Sequence, residues 1–207
     1  MFSVVNNQGM EPTTDSIARE AARLIEIGQA PTVGKAIAVV LDRLDARQRR
    51  GVRIPSHGLV RRHVQAFAMQ SMGEDAYREA VRDILRIAEE LMTVFEGFRP
   101  VLIGRAAKGQ VDAGAAIRVR IFTKTGLDEL MNLLAHFGYG EPSIETVNTR
   151  WGRLNRLVFT EESVPIIITR CLPEMERHVS ENLTTGAKVA TMTLQALRER
   201  LSAKPQA

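Results

Sequence analysis

The sequence predicts an α+β protein with a helical N-terminal part followed by a mixed β-sheet carrying flanking helices. Two observations predict it. The first hundred residues place their apolar side chains at helical spacing, and after Pro100 the spacing changes from 3.6 to 2. Several short apolar or alternating runs then follow one another, separated by Gly, Pro, Asn and Glu-Ser turns.

Residues 1 to 12 read as a leader. Thr13 to Asp15 offer caps for a helix with Ile17, Ala21, Leu24 and Ile25 on one side, and Gly28 ends it. A second helix follows Pro31 and Thr32 and carries Ile37, Val40, Leu41 and Leu44. The arginine-rich stretch ARQRRGVRIPSHG reads as a break, after which Pro55 and Ser56 open a third helix with Leu59, Val60, Val64 and Phe67. The longest helix runs from about Glu74 to Glu96, and its stripe extends from Tyr77 to Phe95. The helical domain is expected over 13–97, a sheet domain over 98–203 and a tail over 204–207. Within the sheet domain, strands are expected near 100–104, 116–122, 143–149, 154–160 and 164–170, with helices at 125–137 and 193–201.

Composition sets bounds on function. The 207 residues carry 28 Lys and Arg against 24 Asp and Glu, an excess that permits polyanion binding without demanding it. Cys171 is the only cysteine, so one chain forms neither an internal disulfide nor a thiolate zinc cluster, and a cytoplasmic location is expected. No run approaches membrane-spanning length and no signal peptide is evident, so no membrane partner is expected.

The stretch from Phe98 to Phe122 holds an apolar strand ending in Gly104-Arg105, a spacer, and the alternating run Ala116-Ile117-Arg118-Val119-Arg120. In pattern and spacing it resembles the minimal nucleotidyltransferases of the DNA polymerase beta superfamily, over roughly Arg99 to Arg170. A helical domain ahead of the core suits a degenerate bacterial group of that kind. The diagnostic residues differ. Arg105 stands where the family has Ser, and Ala116, Arg118 and Ile167 stand where it has metal-binding carboxylates. Two-metal phosphoryl transfer needs those carboxylates, so the resemblance implies a catalytically silent domain with no metal and no cofactor. Asp112 or Glu145 would have to substitute for them in an active enzyme.

Strand alternation sets Arg118 and Arg120 on one face, opposite Ile117, Val119 and Ile121. With Arg105, Lys108, Arg150, Arg153, Arg156 and Arg170 on neighbouring segments and Trp151 among them, this face is expected to bind the phosphates of a nucleic acid or nucleotide. Solvated surface arginines with Trp151 closing a turn are the plainer alternative. A different class of function is a structural or regulatory module that binds another protein or itself. In a third reading the helices at 31–44 and 56–70 form a helix-turn-helix variant, with Arg47, Arg49, Arg50, Arg53, Arg61 and Arg62 directed at duplex DNA. The link of about a dozen residues is longer than the usual tight turn.

Other motifs lack the residues their chemistry requires. Gly104 and Gly109 have phosphate-loop spacing, but Gln110 and Val111 replace the Lys and Ser/Thr. His57, His63, His136 and His178 have no paired-ligand spacing, Cys171 reads as a small buried hydrophobe, and the adjacent Glu161 and Glu162 point apart in an extended chain.

Overall fold

The computed structural model describes residues 12–110 and 116–203. The chain divides into two compact units, Met1–Glu74 and Asp75–Ala207.

The first unit is helical. Helix α1 (Thr14–Glu26) begins with a reciprocal capping box between Thr13 and Ser16 and buries Ile17, Ala18, Ala21, Ala22 and Leu24. Its three alanines present little bulk, which lets α2 (Val33–Asp42) and α4 (His57–Met72) pack closely on it. The shared core includes Ile37 and Val40 of α2 and Val60 and Val64 of α4. The arginine-rich break contains a helix, α3 (Ala46–Gly51). Asp45 accepts from the amides of Arg47 and Gln48 while the Gln48 side chain returns to the Asp45 amide, and this box holds one and a half turns with no buried residue. Ser56 caps α4, and Gly73 ends it at φ +83°.

The second unit is built on a six-stranded mixed sheet. In chain order it contains α5 (Glu74–Val94), β1 (Val101–Ile103), α6 (Arg105–Lys108), β2 (Ile117–Phe122) and α7 (Leu127–His136), then β3 (Ser143–Thr149), β4 (Gly152–Glu161), β5 (Val164–Cys171), β6 (Thr191–Thr193) and α8 (Leu194–Ser202). The strand order is β3-β4-β5-β2-β1-β6; β2 and β5 run parallel and every other pair is antiparallel.

Side chains from α5, α7 and α8 share one core with Leu102, Ile117, Val119, Ile121, Leu157, Phe159, Ile166 and Ile168. Each large apolar side chain buried there contributes about 1.5–3 kcal/mol. This core corrects the expected boundary at residue 97. Periodicity identifies α5 as a helix but not its partner, and Leu85, Ala88, Leu91, Met92 and Phe95 belong to the sheet's core. The opposite face carries a smaller cluster, Phe122, Leu154 and Cys171 with Met175 and Leu183 from the segment after β5. That segment, which opens with a 3-10 stretch at Pro173–His178, was not anticipated, nor were α3, α6 and β6. The expected leader and tail lie almost wholly outside the described residues.

Candidate nucleic-acid interface

Alternation along β2 holds as far as facing is concerned: Ile117, Val119 and Ile121 are buried in the main core, while Arg118 is exposed on the other side. Arg120 shares the face of Arg118 but is only 3% exposed. Its Nη1 donates to the carbonyls of Val179 at 2.7 Å and His178 at 3.4 Å, and its Nη2 donates to that of Glu181 at 2.7 Å. Burial, with Arg156 adding to it, lowers its pKa from the ordinary arginine value. Arg120 is thus an internal tie that supplies donors to a stretch of chain lacking regular backbone pairing.

Trp151 and Arg150 serve the same segment. The Trp151 ring lies 4.9 Å from that of His178, and the Arg150 guanidinium sits 5.6 Å from the Trp151 ring centre. Arg150 also pairs with Glu181 at 3.8 Å, donates its backbone amide to Leu183, and lies across Gly186 where any Cβ would collide with it. His178 Nδ1 bonds Glu181 Oε1 at 3.0 Å, and this bond, with Arg150 and Arg120 nearby, holds the Glu181 carboxyl below the usual carboxylate range. Arg120, Arg150 and Trp151, expected at the phosphate-binding face, are occupied in fastening residues 178–186 to the sheet. Beneath them, burial pushes the Cys171 thiol up to about 11, against the opposing pull of Arg120 and Arg156.

The remaining predicted residues divide between the two faces of the sheet and helix α6. Arg156 is half-buried between Glu145 and Thr169 in register, on the face of Arg120. Arg153 is one residue from Leu154 and so belongs to the opposite face. Arg118 is the register partner of Ile103 and Ile167, and Arg105 and Lys108 lie on α6 just beyond Ile103. Two of the three positions expected for carboxylates, Arg118 and Ile167, are therefore side by side, with Ala116 immediately before β2. Among the described residues no group of three His, Cys, Asp or Glu side chains is placed to hold a metal ion. Asp112 lies outside the described residues. The Gly104-to-Gly109 stretch forms α6, and the Arg200 guanidinium lies across Gly109.

The helical unit gives a different result. Between Arg43 and Arg62 stand seven arginines and one acid, Asp45, whereas the rest of the chain has 21 basic and 23 acidic residues. The whole positive excess of the protein lies in these twenty residues, a signal present in the sequence but obscured by averaging over its full length. All seven arginines are exposed. Arg43 pairs with Glu20 and Arg49 with Asp42, while Arg47, Arg53, Arg61 and Arg62 make no ion pair among the described residues. Thr14 Oγ1 donates to the Arg53 carbonyl and Asp15 bonds His63 at 2.9 Å, so the first turn of α1 gathers the link and the start of α4. On α4, Val60, Val64 and Ala68 face inward. The outward stripe is Gly58, Arg61, Arg62, Gln65, Ala66 and Met69: two exposed arginines with the small Gly58 and Ala66 and the half-buried Gln65 and Met69.

No family description, no curated protein and no solved structure matches this chain. Among the described residues no helix is long and apolar enough to cross a membrane.

Proposed function

We propose that the protein binds duplex DNA through its helical unit, with α4 as the recognition helix and α3 and its link as the phosphate clamp. The observation that carries this reading is the concentration of seven exposed arginines against one acid between Arg43 and Arg62 in a chain otherwise slightly acidic. Exposed Arg61 and Arg62 and half-buried Gln65 on one helix stripe are of the residue types that read guanine and adenine edges in a major groove. Gly58 and Ala66 on the same stripe keep that face low, so the helix can approach the groove floor. Arg47 in the first turn of α3 and Arg53 within the α3–α4 link supply sequence-independent attraction to phosphates. The sheet face supports binding less well, because three of its eight predicted residues are used internally and Arg153 faces away from Arg118.

The test is fluorescence anisotropy with duplex DNA, single-stranded RNA and a folded RNA across a salt series. Arg61→Ala/Arg62→Ala is compared with Arg118→Ala/Arg153→Ala. The Arg61/Arg62 pair is expected to weaken duplex binding tenfold or more with the slope of log K against log salt little changed, and Arg47→Ala/Arg53→Ala to reduce that slope by about two. The sheet pair is expected to leave both unchanged. Absence of binding at low salt, a preference for either RNA, or loss of binding only in the sheet pair would overturn the assignment.

A further inference from the structure

Strand β3 forms one end of the sheet order, and its seven residues, Ser143-Ile-Glu-Thr-Val-Asn-Thr149, are matched one to one with β4 without a bulge. Edge strands are commonly blunted by lysine, proline, bulges or brevity, because unpaired backbone groups recruit other strands. The opposite edge, β6, uses brevity and has three residues. β3 uses none of these devices: it holds no Lys, Arg or Pro, its one charge is Glu145, and Ile144 is 50% exposed.

The direction of its backbone groups follows from two side-chain bonds. The Ser143 hydroxyl donates to the Val158 carbonyl at 3.0 Å, and the Thr149 hydroxyl donates to the Gly152 carbonyl at 2.7 Å. Both carbonyls therefore point at β3, which makes Ser143 and Thr149 members of hydrogen-bonded pairs with β4. Bonding alternates along an antiparallel pair, so Ile144, Thr146 and Asn148 turn their N–H and C=O groups outward.

We propose that this edge pairs with the same edge of a second copy, antiparallel about a two-fold axis at Thr146. The register is self-consistent. Thr146 meets Thr146 of the second copy and Ile144 meets Asn148, so the outward groups of all three residues pair, giving about six main-chain hydrogen bonds. Glu145 then lies opposite Val147 rather than another carboxylate, and each Glu145 keeps Arg156 of its own β4 as register partner. Any register shifted by two residues leaves an outward pair unmatched, so the two-fold register at Thr146 is the one that pairs every outward group of both copies. One strand of this length buries an interface at the small end of the range for specific pairs, so a reversible dimer is expected.

The experiment is sedimentation velocity over about 1 to 200 μM, where a reversible pair of this size dissociates, together with mild oxidation of Thr146→Cys and Asn148→Cys variants. Native Cys171 is buried and does not interfere. The expected result is concentration-dependent dimerisation with rapid symmetric cross-linking of Thr146→Cys and slow cross-linking of Asn148→Cys. Thr146→Pro removes an outward N–H and leaves the β4 ladder intact, so it is expected to be monomeric with an unchanged circular dichroism spectrum. If that variant does not fold, the two cysteine variants still decide the register. A monomer throughout the range, a dimer that persists in folded Thr146→Pro, or equal cross-linking of the two cysteine variants would overturn the proposal.

Discussion

Replacing Arg120 tests whether the second unit depends on an arginine that sequence alone would assign to a ligand. Arg120→Ala removes two hydrogen bonds of 2.7 Å and one of 3.4 Å from the carbonyls of Val179, Glu181 and His178. Hydrogen bonds to a charged group contribute about 1.5–3 kcal/mol each, and the deserted carbonyls would have to find water or shift. The side chain is 3% exposed, so lost packing adds to this. A destabilisation of about 3–5 kcal/mol is expected, a large share of the total for a domain of this size. The assay is urea unfolding followed by tryptophan fluorescence. Trp151 is the only tryptophan and its ring lies against His178 in the segment that Arg120 fastens, so the signal reports the relevant region. Arg120→Lys should recover part of the loss, because an ammonium cannot span two carbonyls as a planar fork does. A cost below about 1 kcal/mol for Arg120→Ala, the level of an exposed surface contact, would refute the structural role and return Arg120 to the pool of candidate ligand residues.

Two further outcomes are expected. Glu162 and Ser163 make the two-residue β4–β5 turn with φ of +47° and +68°, values that favour Asn and Gly, so Glu162→Asn/Ser163→Gly should stabilise the protein by about 1 kcal/mol in the same unfolding assay. Cys171 is 1% exposed and its thiol is pushed up to about 11, so a thiol reagent at pH 8 should label it only after unfolding. A thiol that ionises more readily unfolded than folded contributes stability at neutral pH that falls away as pH rises through about 9 to about 11. Burial raises Tyr139 to about 12, which acts in the same direction at the upper end of that window, so the Cys171 contribution is the part abolished in Cys171→Ala.

The fold was legible wherever one residue period dominates a segment. The stripe of α1, the alternation of β2 and the apolar run of β5 each specify an element and its inward face without reference to any other part of the chain. The missed elements have no period to read. α3 buries nothing and exists because of the Asp45 and Gln48 capping box, while α6 and β6 are too short for a pattern. Which strand arginine is buried was not legible, for a different reason. Arg118 and Arg120 are equivalent by every local rule, two residues apart on one strand face, yet one is exposed and the other buried. The difference comes from residues about sixty positions later, which return to cover the face at Arg120 and not at Arg118.

The same contrast explains why the charge distribution weighs more than the arginine pattern. A buried guanidinium can be retained for the carbonyls it satisfies, so its presence in a strand says little about ligands. Exposed arginines of like charge crowded into twenty residues repel one another and satisfy little within the fold, and the anion proposed for them would offset that repulsion. Arg47, Arg53, Arg61 and Arg62, which have no ion pair among the described residues, meet that description, whereas Arg120 and Arg150 do not. If the helical unit binds duplex DNA, association should also stabilise that unit against heat in proportion to ligand concentration, and the gain should shrink as salt rises.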